Sequence, residues 1–125
     1  MRSITGRRVA TFGLLAAATM VTSGCGSDGP QSPKAAVDAF YDAGIDDDVN
    51  ALTDALCPKY KGDAKEVLDE MFRADPITSI KHRSETMKSD HAVVVVDENS
   101  PGATTTYVRW VVTQDDGSWH VCGKA

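Results

Sequence analysis

The chain has 125 residues, and hydrophobic residues make up 42% of it, which is enough for one packed core. Its formal net charge is −5, and removal of residues 1–24, which contain three arginines and no acidic residue, would leave −8. An acidic protein is a poor ligand for nucleic acid, which proteins hold mainly by neutralising phosphates. It is also poorly attracted to anionic lipid. We therefore expect no nucleic-acid partner.

The first 24 residues have the order of a secretory signal peptide. Arg2, Arg7 and Arg8 precede an apolar stretch over residues 9–21, and small residues follow it. This stretch is shorter than the roughly 20 residues that a permanent membrane-spanning helix needs. We expect residues 1–24 to be removed during export, by the general secretory route or, given the arginine pair, by the twin-arginine route.

The end of this signal, residues 21–25, resembles the lipobox of bacterial lipoproteins, in which small residues precede a cysteine that receives a diacylglyceryl group. The resemblance implies a mature chain that begins at acylated Cys25, an exported protein anchored on the extracytoplasmic side of the cell membrane. Two or more acyl chains anchor firmly, because each buried methylene contributes about 0.8 kcal/mol. The alternative is an ordinary secretory signal cut nearby, with Cys25 a free thiol. Residues 25–32 are small and polar, as in a tether.

The mature part is the size of one domain, and its two other cysteines form an even pair. Cys57 and Cys122 in an exported protein predict a disulfide. Closing a loop of about 65 residues would stabilise the fold by roughly 4 kcal/mol. We expect a structural bond, because the chain has no Cys-x-x-Cys spacing.

Three helices are predicted in the first half of the domain. Ser32 and Pro33 are typical of a helix start, and apolar residues recur at helical spacing up to Gly44. A second helix is expected over residues 49–57, ended by Pro58, and a third over residues 63–72.

From Ile77 onward the chain is rich in β-branched and aromatic residues. Three clusters of turn-forming residues divide this part into four strands, and they are Lys88–Asp90, Asn99–Gly102 and Asp115–Ser118. Helices followed by strands predict an α+β domain in which the helices cover an antiparallel sheet.

Several segments of this domain are similar to a known superfamily. They are Phe40–Asp46, Leu52, Leu56–Pro58 and Gly117–Cys122. The domain resembles small actinobacterial lipoprotein domains of the nuclear-transport-factor-2-like (cystatin-like) superfamily. The resemblance implies, over residues 33–125, N-terminal helices packed on a curved, mainly four-stranded antiparallel sheet. The superfamily includes isomerases and dehydratases similar to ketosteroid isomerase, but their acid and base motifs match no positions here. Enzymatic and non-enzymatic functions therefore both stay open.

Few residues suggest chemistry of their own. A turn at Ser89 and Asp90 would place His82 opposite Asp97, a pair that could be a catalytic dyad but is more often a surface contact. The acidic run of residues 46–48 lacks the spacing of a calcium loop and suits the start of a helix. We predict no catalytic residue, no metal site and no cofactor.

The last hairpin predicts how the sheet is oriented. A turn through residues 115–118 places Gln114 opposite Trp119, Val112 opposite Val121 and Val111 opposite Cys122. The strand residues alternate between two faces. A disulfide to a helix would turn the face of Cys122 toward the helices. The opposite face would then point outward and could contact a second copy of the chain or an envelope protein; it carries Val108, Trp110, Val112, Trp119 and Val121. Alternatively, the cystine lies at a sheet edge and the tryptophans belong to the core.

A second hypothesis places a small-molecule site in the hollow between sheet and helices. Its predicted lining is Phe40, Tyr41, Tyr107, Arg109 and His120. A buried Arg109 would need an anionic partner, from a helix or from the ligand. On either hypothesis we expect a non-catalytic binding or accessory module at the membrane, with an isomerase-like or dehydratase-like enzyme as the alternative.

The anchor can be tested on the exported protein. We expect mass spectrometry of the protein isolated from membranes to show an N-terminal Cys25 whose mass is increased by its acyl chains. An unmodified Cys25 would remove the anchor and would leave an odd number of thiols.

Overall fold

The computed structural model describes residues 29–125, so the predicted signal peptide and Cys25 lie outside the described residues. The helical part comes first, as α1 (Pro33–Ile45), α2 (Val49–Ala55), a 3-10 turn (Pro58–Asp63), α3 (Ala64–Val67) and a π-helical turn (Leu68–Arg73). In this part of the chain no helix has both the length and the apolar character needed to cross a membrane.

Four strands follow the helices and form one antiparallel sheet. They are β1 (Ser79–Met87), β2 (Ala92–Asn99), β3 (Thr106–Asp115) and β4 (Ser118–Lys124), and they lie side by side in chain order. The predicted α+β class, with helices against a four-stranded antiparallel sheet, is confirmed.

The first two helices begin where side chains can cap them. The Ser32 hydroxyl accepts a hydrogen bond from the Ala35 backbone N–H at 3.1 Å, and Pro33 occupies the first helical turn. The Asp48 carboxylate accepts from the Ala51 N–H at 3.0 Å. Asp48 therefore caps α2, as expected for the acidic run.

The outer edge of β4 is covered by the chain that leaves α2. Leu56 pairs with Val121 in a parallel bridge, and the Cys57 N–H donates to the Val121 carbonyl at 3.0 Å. Cys57 and Cys122 lie at disulfide distance, with their Cα atoms 5.2 Å apart. The predicted pairing of these cysteines therefore has the required geometry, and it lies at a sheet edge.

A β-bulge separates the two halves of the β3–β4 pairing. Gln114 is opposite Trp119 and Val112 is opposite Val121, as predicted, but Val111 is opposite Gly123 instead of Cys122. Gly123 has a φ of 127°, which glycine adopts without steric cost. The bulge and the edge position let Cys122 reach Cys57 without turning its whole face toward the helices.

The predicted outward face is therefore wrong. Trp110 is 3% exposed and Trp119 is 9% exposed, and both belong to the core between helices and sheet. The other three residues of that face are buried in the same core, and they are Val108, Val112 and Val121. The physical reason is that Cys57 lies beside the edge of β4, and Cys122 reaches it there. The disulfide therefore does not define which face of the sheet meets the helices. A partner surface centred on these five residues is excluded.

The beginning of the described chain is attached to β4. The Trp119 N–H donates to the Pro30 carbonyl at 3.1 Å, next to the edge contact that Leu56 makes. Residues 29–32, which composition assigns to the tether, thus pack at the edge of the domain. Residues 25–28 of the predicted tether lie outside the described part.

Gly44 allows α1 and the π-helical turn to approach closely. A Cβ atom at Gly44 would overlap the ring of Phe72, whereas a Cβ at Gly62 would meet nothing within 4 Å. We expect Gly44→Ala to lower the free energy of unfolding by about 1–3 kcal/mol, the usual cost of overpacking. Gly62→Ala is the matched control and should change stability little. Urea unfolding of both variants checks this, and equal stabilities would contradict the packing described here.

Candidate functional site

A hollow of about 290 Å³ lies between the helical segment after α2 and the sheet. Its floor is formed by Phe40, Trp110 and Val121, which are buried, and half-buried side chains form the wall above it. The wall residues are Tyr60, Val67 and Met71. The hollow is therefore mainly apolar and open on one side.

The hollow lies beside α3 and the π-helical turn, which bury one stripe of side chains fully and a second stripe only in part. Ala64, Leu68 and Phe72 recur every fourth residue and are buried. Phe72 packs on α1, with its ring centroid 5.8 Å from that of Phe40. Val67 and Met71 form the neighbouring stripe, which is half-buried against the core and lines the hollow.

The rim of the hollow is acidic. Asp63, Glu66 and Glu70 line its mouth and are exposed. Asp69, on the same helical segment, instead pairs with Lys65 at 3.8 Å and with Arg73. Carboxylates at one opening make its electrostatic potential negative.

Beneath the floor, a chain of hydrogen bonds fixes the orientation of the Trp110 ring. The Trp110 indole N–H donates to the Tyr41 hydroxyl at 2.9 Å, and that hydroxyl donates to the Glu98 carboxylate. Burial, and then the hydrogen bond and charge of Glu98, raise the pKa of Tyr41 above its ordinary value. Tyr41 therefore stays protonated, and the indole, the hydroxyl and the carboxylate of this hydrogen-bonded series each have a partner.

The predicted lining of the hollow is largely wrong. Phe40 lines it, but Tyr41 lies below the floor in the bonded chain with Trp110 and Glu98. Tyr107 is 56% exposed and Arg109 is also exposed, because both alternate with core residues and point away from the helices. His120 lines a separate small pocket near Pro30.

Most of the residues that line the hollow are not among the predicted lining. Val67 and Met71 belong to the predicted third helix, but its apolar pattern does not show that this stripe is only half-buried. The helical spacing of Glu66 and Glu70 on the same segment was the available signal. Tyr60 lies in a 3-10 turn that had no predicted structure.

The histidines do not form a common site. A β-bulge in β1 places His82 opposite Val96, so the predicted His82–Asp97 pair is wrong, and Arg83 pairs with Asp97 at 2.9 Å instead. His82 contacts Asp38 at 2.6 Å. Within residues 29–125 no three His, Cys, Asp or Glu side chains are grouped as metal ligands.

His91 and Asp90 form a separate contact in the β1–β2 turn, with Nδ1 and Oδ1 2.6 Å apart. The hydrogen bond from His91 lowers the pKa of the Asp90 carboxyl. Neither residue lines the hollow, so this pair is a local turn contact.

Comparisons with known proteins show the fold and no more. No protein-family model and no curated protein matches the chain. A SEC-C motif containing protein from Rhodopseudomonas palustris is similar in structure, with a TM-score of 0.59 and 13% identity over 78% of this chain and 80% of that one. A domain from Thiobacillus denitrificans, assigned as a calcium/calmodulin-dependent protein kinase type II association domain, has a TM-score of 0.56 and 14% identity over 76% of this chain and 93% of that one.

The Tyr41 hydroxyl can be tested for its structural role. We expect Tyr41→Phe to lower the free energy of unfolding by about 1–3 kcal/mol, because the buried Trp110 N–H loses its acceptor. Tyr107→Phe, at an exposed ring, is the matched control. Since folding raises the pKa of Tyr41, its contribution is present below the unfolded value of about 10 and is lost as the pH rises further. Urea unfolding should therefore show a steeper alkaline loss of stability in the wild type than in Tyr41→Phe.

Proposed function

We propose that this protein is an extracytoplasmic lipoprotein, anchored through acyl chains on Cys25, whose domain holds a small apolar molecule without transforming it. The observation that carries the binding function is the hollow itself, with a buried aromatic floor and a half-buried apolar wall. Ligand sites in proteins are typically concave, mainly apolar and supplied with a few polar groups at fixed positions. The hollow is concave and mainly apolar, and its charged groups are the carboxylates at the rim.

The size of the hollow suits a small ligand. Its volume of about 290 Å³ is at the lower end of the usual range for ligand pockets. A dry engineered cavity of about 150 Å³ accepts benzene. A molecule with one ring or a short branched chain therefore fits on the floor, and a polar group of the same molecule would extend to the rim.

Binding without catalysis is favoured by the chemistry of the lining. Among the described residues, the hollow is lined by no histidine, cysteine, serine or lysine, the groups that most often act as nucleophiles and bases. Its carboxylates are exposed at the mouth, away from the buried floor. An isomerase-like or dehydratase-like mechanism would need an acid or a base beside the ligand at the floor, and Phe40, Trp110 and Val121 supply neither.

The nuclear-transport-factor-2-like assignment is part of this proposal. It is supported by the helices-then-sheet order, by the four antiparallel strands and by the hollow between the two layers. The similarity to an association domain of the same overall size adds support at the level of the fold.

Anchoring at Cys25 would keep the domain close to the lipid. Pro30 is bound to Trp119 and Gly29 packs near Ser118, so only four residue steps separate Cys25 from the described domain. Four extended steps span at most about 14 Å. The module would therefore work near the outer surface of the membrane.

Ligand binding in the hollow can be followed by NMR at Trp110, which forms part of the floor. The exported protein in lipid nanodiscs, labelled with 15N-tryptophan, has two indole N–H resonances, which Trp119→Phe assigns. We expect benzyl alcohol to shift the Trp110 resonance saturably and to leave the Trp119 resonance unchanged, because only Trp110 lines the hollow.

A space-filling substitution supplies the matched control. Val67→Phe should weaken this binding at least tenfold, because the added ring occupies the hollow. Val49→Phe makes the same change at an exposed position of α2 and should leave binding unaltered. Equal binding by both variants, or no saturable shift of Trp110, would reject the hollow as the ligand site.

A further inference from the structure

We propose that the ligand carries a positive charge beside its apolar group, as a small aromatic or branched amine or quaternary ammonium does. This inference rests on the proposed function, because it names the class of molecule that the hollow accepts. It is carried by the three carboxylates of the rim together with the aromatic rings of the lining.

The rim carboxylates lie on successive turns of one helical segment. Asp63, Glu66 and Glu70 are spaced three and four residues apart, so their side chains share one side of the segment. None of the three forms a salt bridge with any described residue between Gly29 and Ala125. Three like charges at one opening repel each other, and a cationic ligand relieves that repulsion.

Three of the neighbouring cations have partners away from the rim. Lys65 and Arg73 pair with Asp69, and Arg73 also pairs with Asp47 at 2.9 Å. Lys61 donates to the carbonyl of Thr53 at 2.9 Å. On this helical segment Asp69 is therefore paired with cations, whereas Asp63, Glu66 and Glu70 are not.

Two aromatic rings of the lining already lie close to the ammonium group of a lysine of the same protein. The Lys124 Nζ lies 6.0 Å from the centroid of the Trp110 ring, and the Lys59 Nζ lies 5.0 Å from that of Tyr60. Such positions over aromatic rings are favourable for cations. The lining therefore suits a cation both at its rim and at its rings, and a cationic ligand would compete with Lys124.

Three benzyl probes with different charges test the inference. Benzyltrimethylammonium, benzyl alcohol and phenylmethanesulfonate each carry the same ring with a positive, neutral or negative group. We expect the cation to bind the exported protein at least tenfold more tightly than the neutral probe, by the saturable shift of the Trp110 indole N–H. The anion should bind more weakly than the neutral probe.

Paired substitutions assign the preference to the rim. Glu66→Gln with Glu70→Gln should reduce the affinity for the cation at least tenfold and leave that for benzyl alcohol within twofold. Asp115→Asn with Asp116→Asn removes the same net charge at the β3–β4 turn and should change neither affinity. Lys124→Ala should increase the affinity for the cation, because it removes the competing ammonium group.

The outcomes separate this inference from the proposed function. If all three probes bind equally at Trp110, the hollow is a ligand site, but the proposal that it prefers cations is wrong. If the cation is preferred and the rim substitutions do not reduce that preference, the carboxylates named here are not its cause, and the inference also fails. If no probe binds at Trp110, the proposed function fails with it.

Discussion

Strand β4 would present an open edge of the sheet if the chain leaving α2 did not cover it. Leu56 pairs with Val121 there, and Cys57 is held by a backbone hydrogen bond and by its disulfide partner Cys122. Uncovered edge strands invite pairing with other chains, so this cover also protects the sheet. It fixes the end of α2 and therefore the position at which the 3-10 turn, α3 and the π-helical turn begin.

The hollow is a consequence of that attachment. Because the chain after Cys57 begins at the edge of β4, its 3-10 turn, α3 and π-helical turn rise beside the sheet and pack back on α1 through Phe72. Gly44 permits that close approach. The second stripe of the same segment, with Val67 and Met71, is only half-buried and lines the hollow together with Trp110.

Two β-bulges decide which side chains meet. In β1 the bulge at Arg83 shifts the pairing by one residue, so His82 faces α1 and Asp97 pairs with Arg83. In the β3–β4 pair the bulge releases Cys122 from the strict alternation that keeps Val121 in the core. A shift of one residue exchanges the faces of a strand, so a register counted from the turns is correct only up to the first bulge.

The sequence by itself determined the local features of this protein: the capped start of α1, the order of helices and strands, the Asp-Gly turn before β4 and two cysteines, Cys57 and Cys122, suited to a disulfide. Each follows from residues close together in the chain, or from counting. Only the tertiary structure decided that the cystine closes around a sheet edge, that Trp110 and Trp119 face inward, and that an acidic-rimmed hollow lies beside them. These features depend on bulges and on which helical stripe finds a packing partner, and no local pattern encodes either of them.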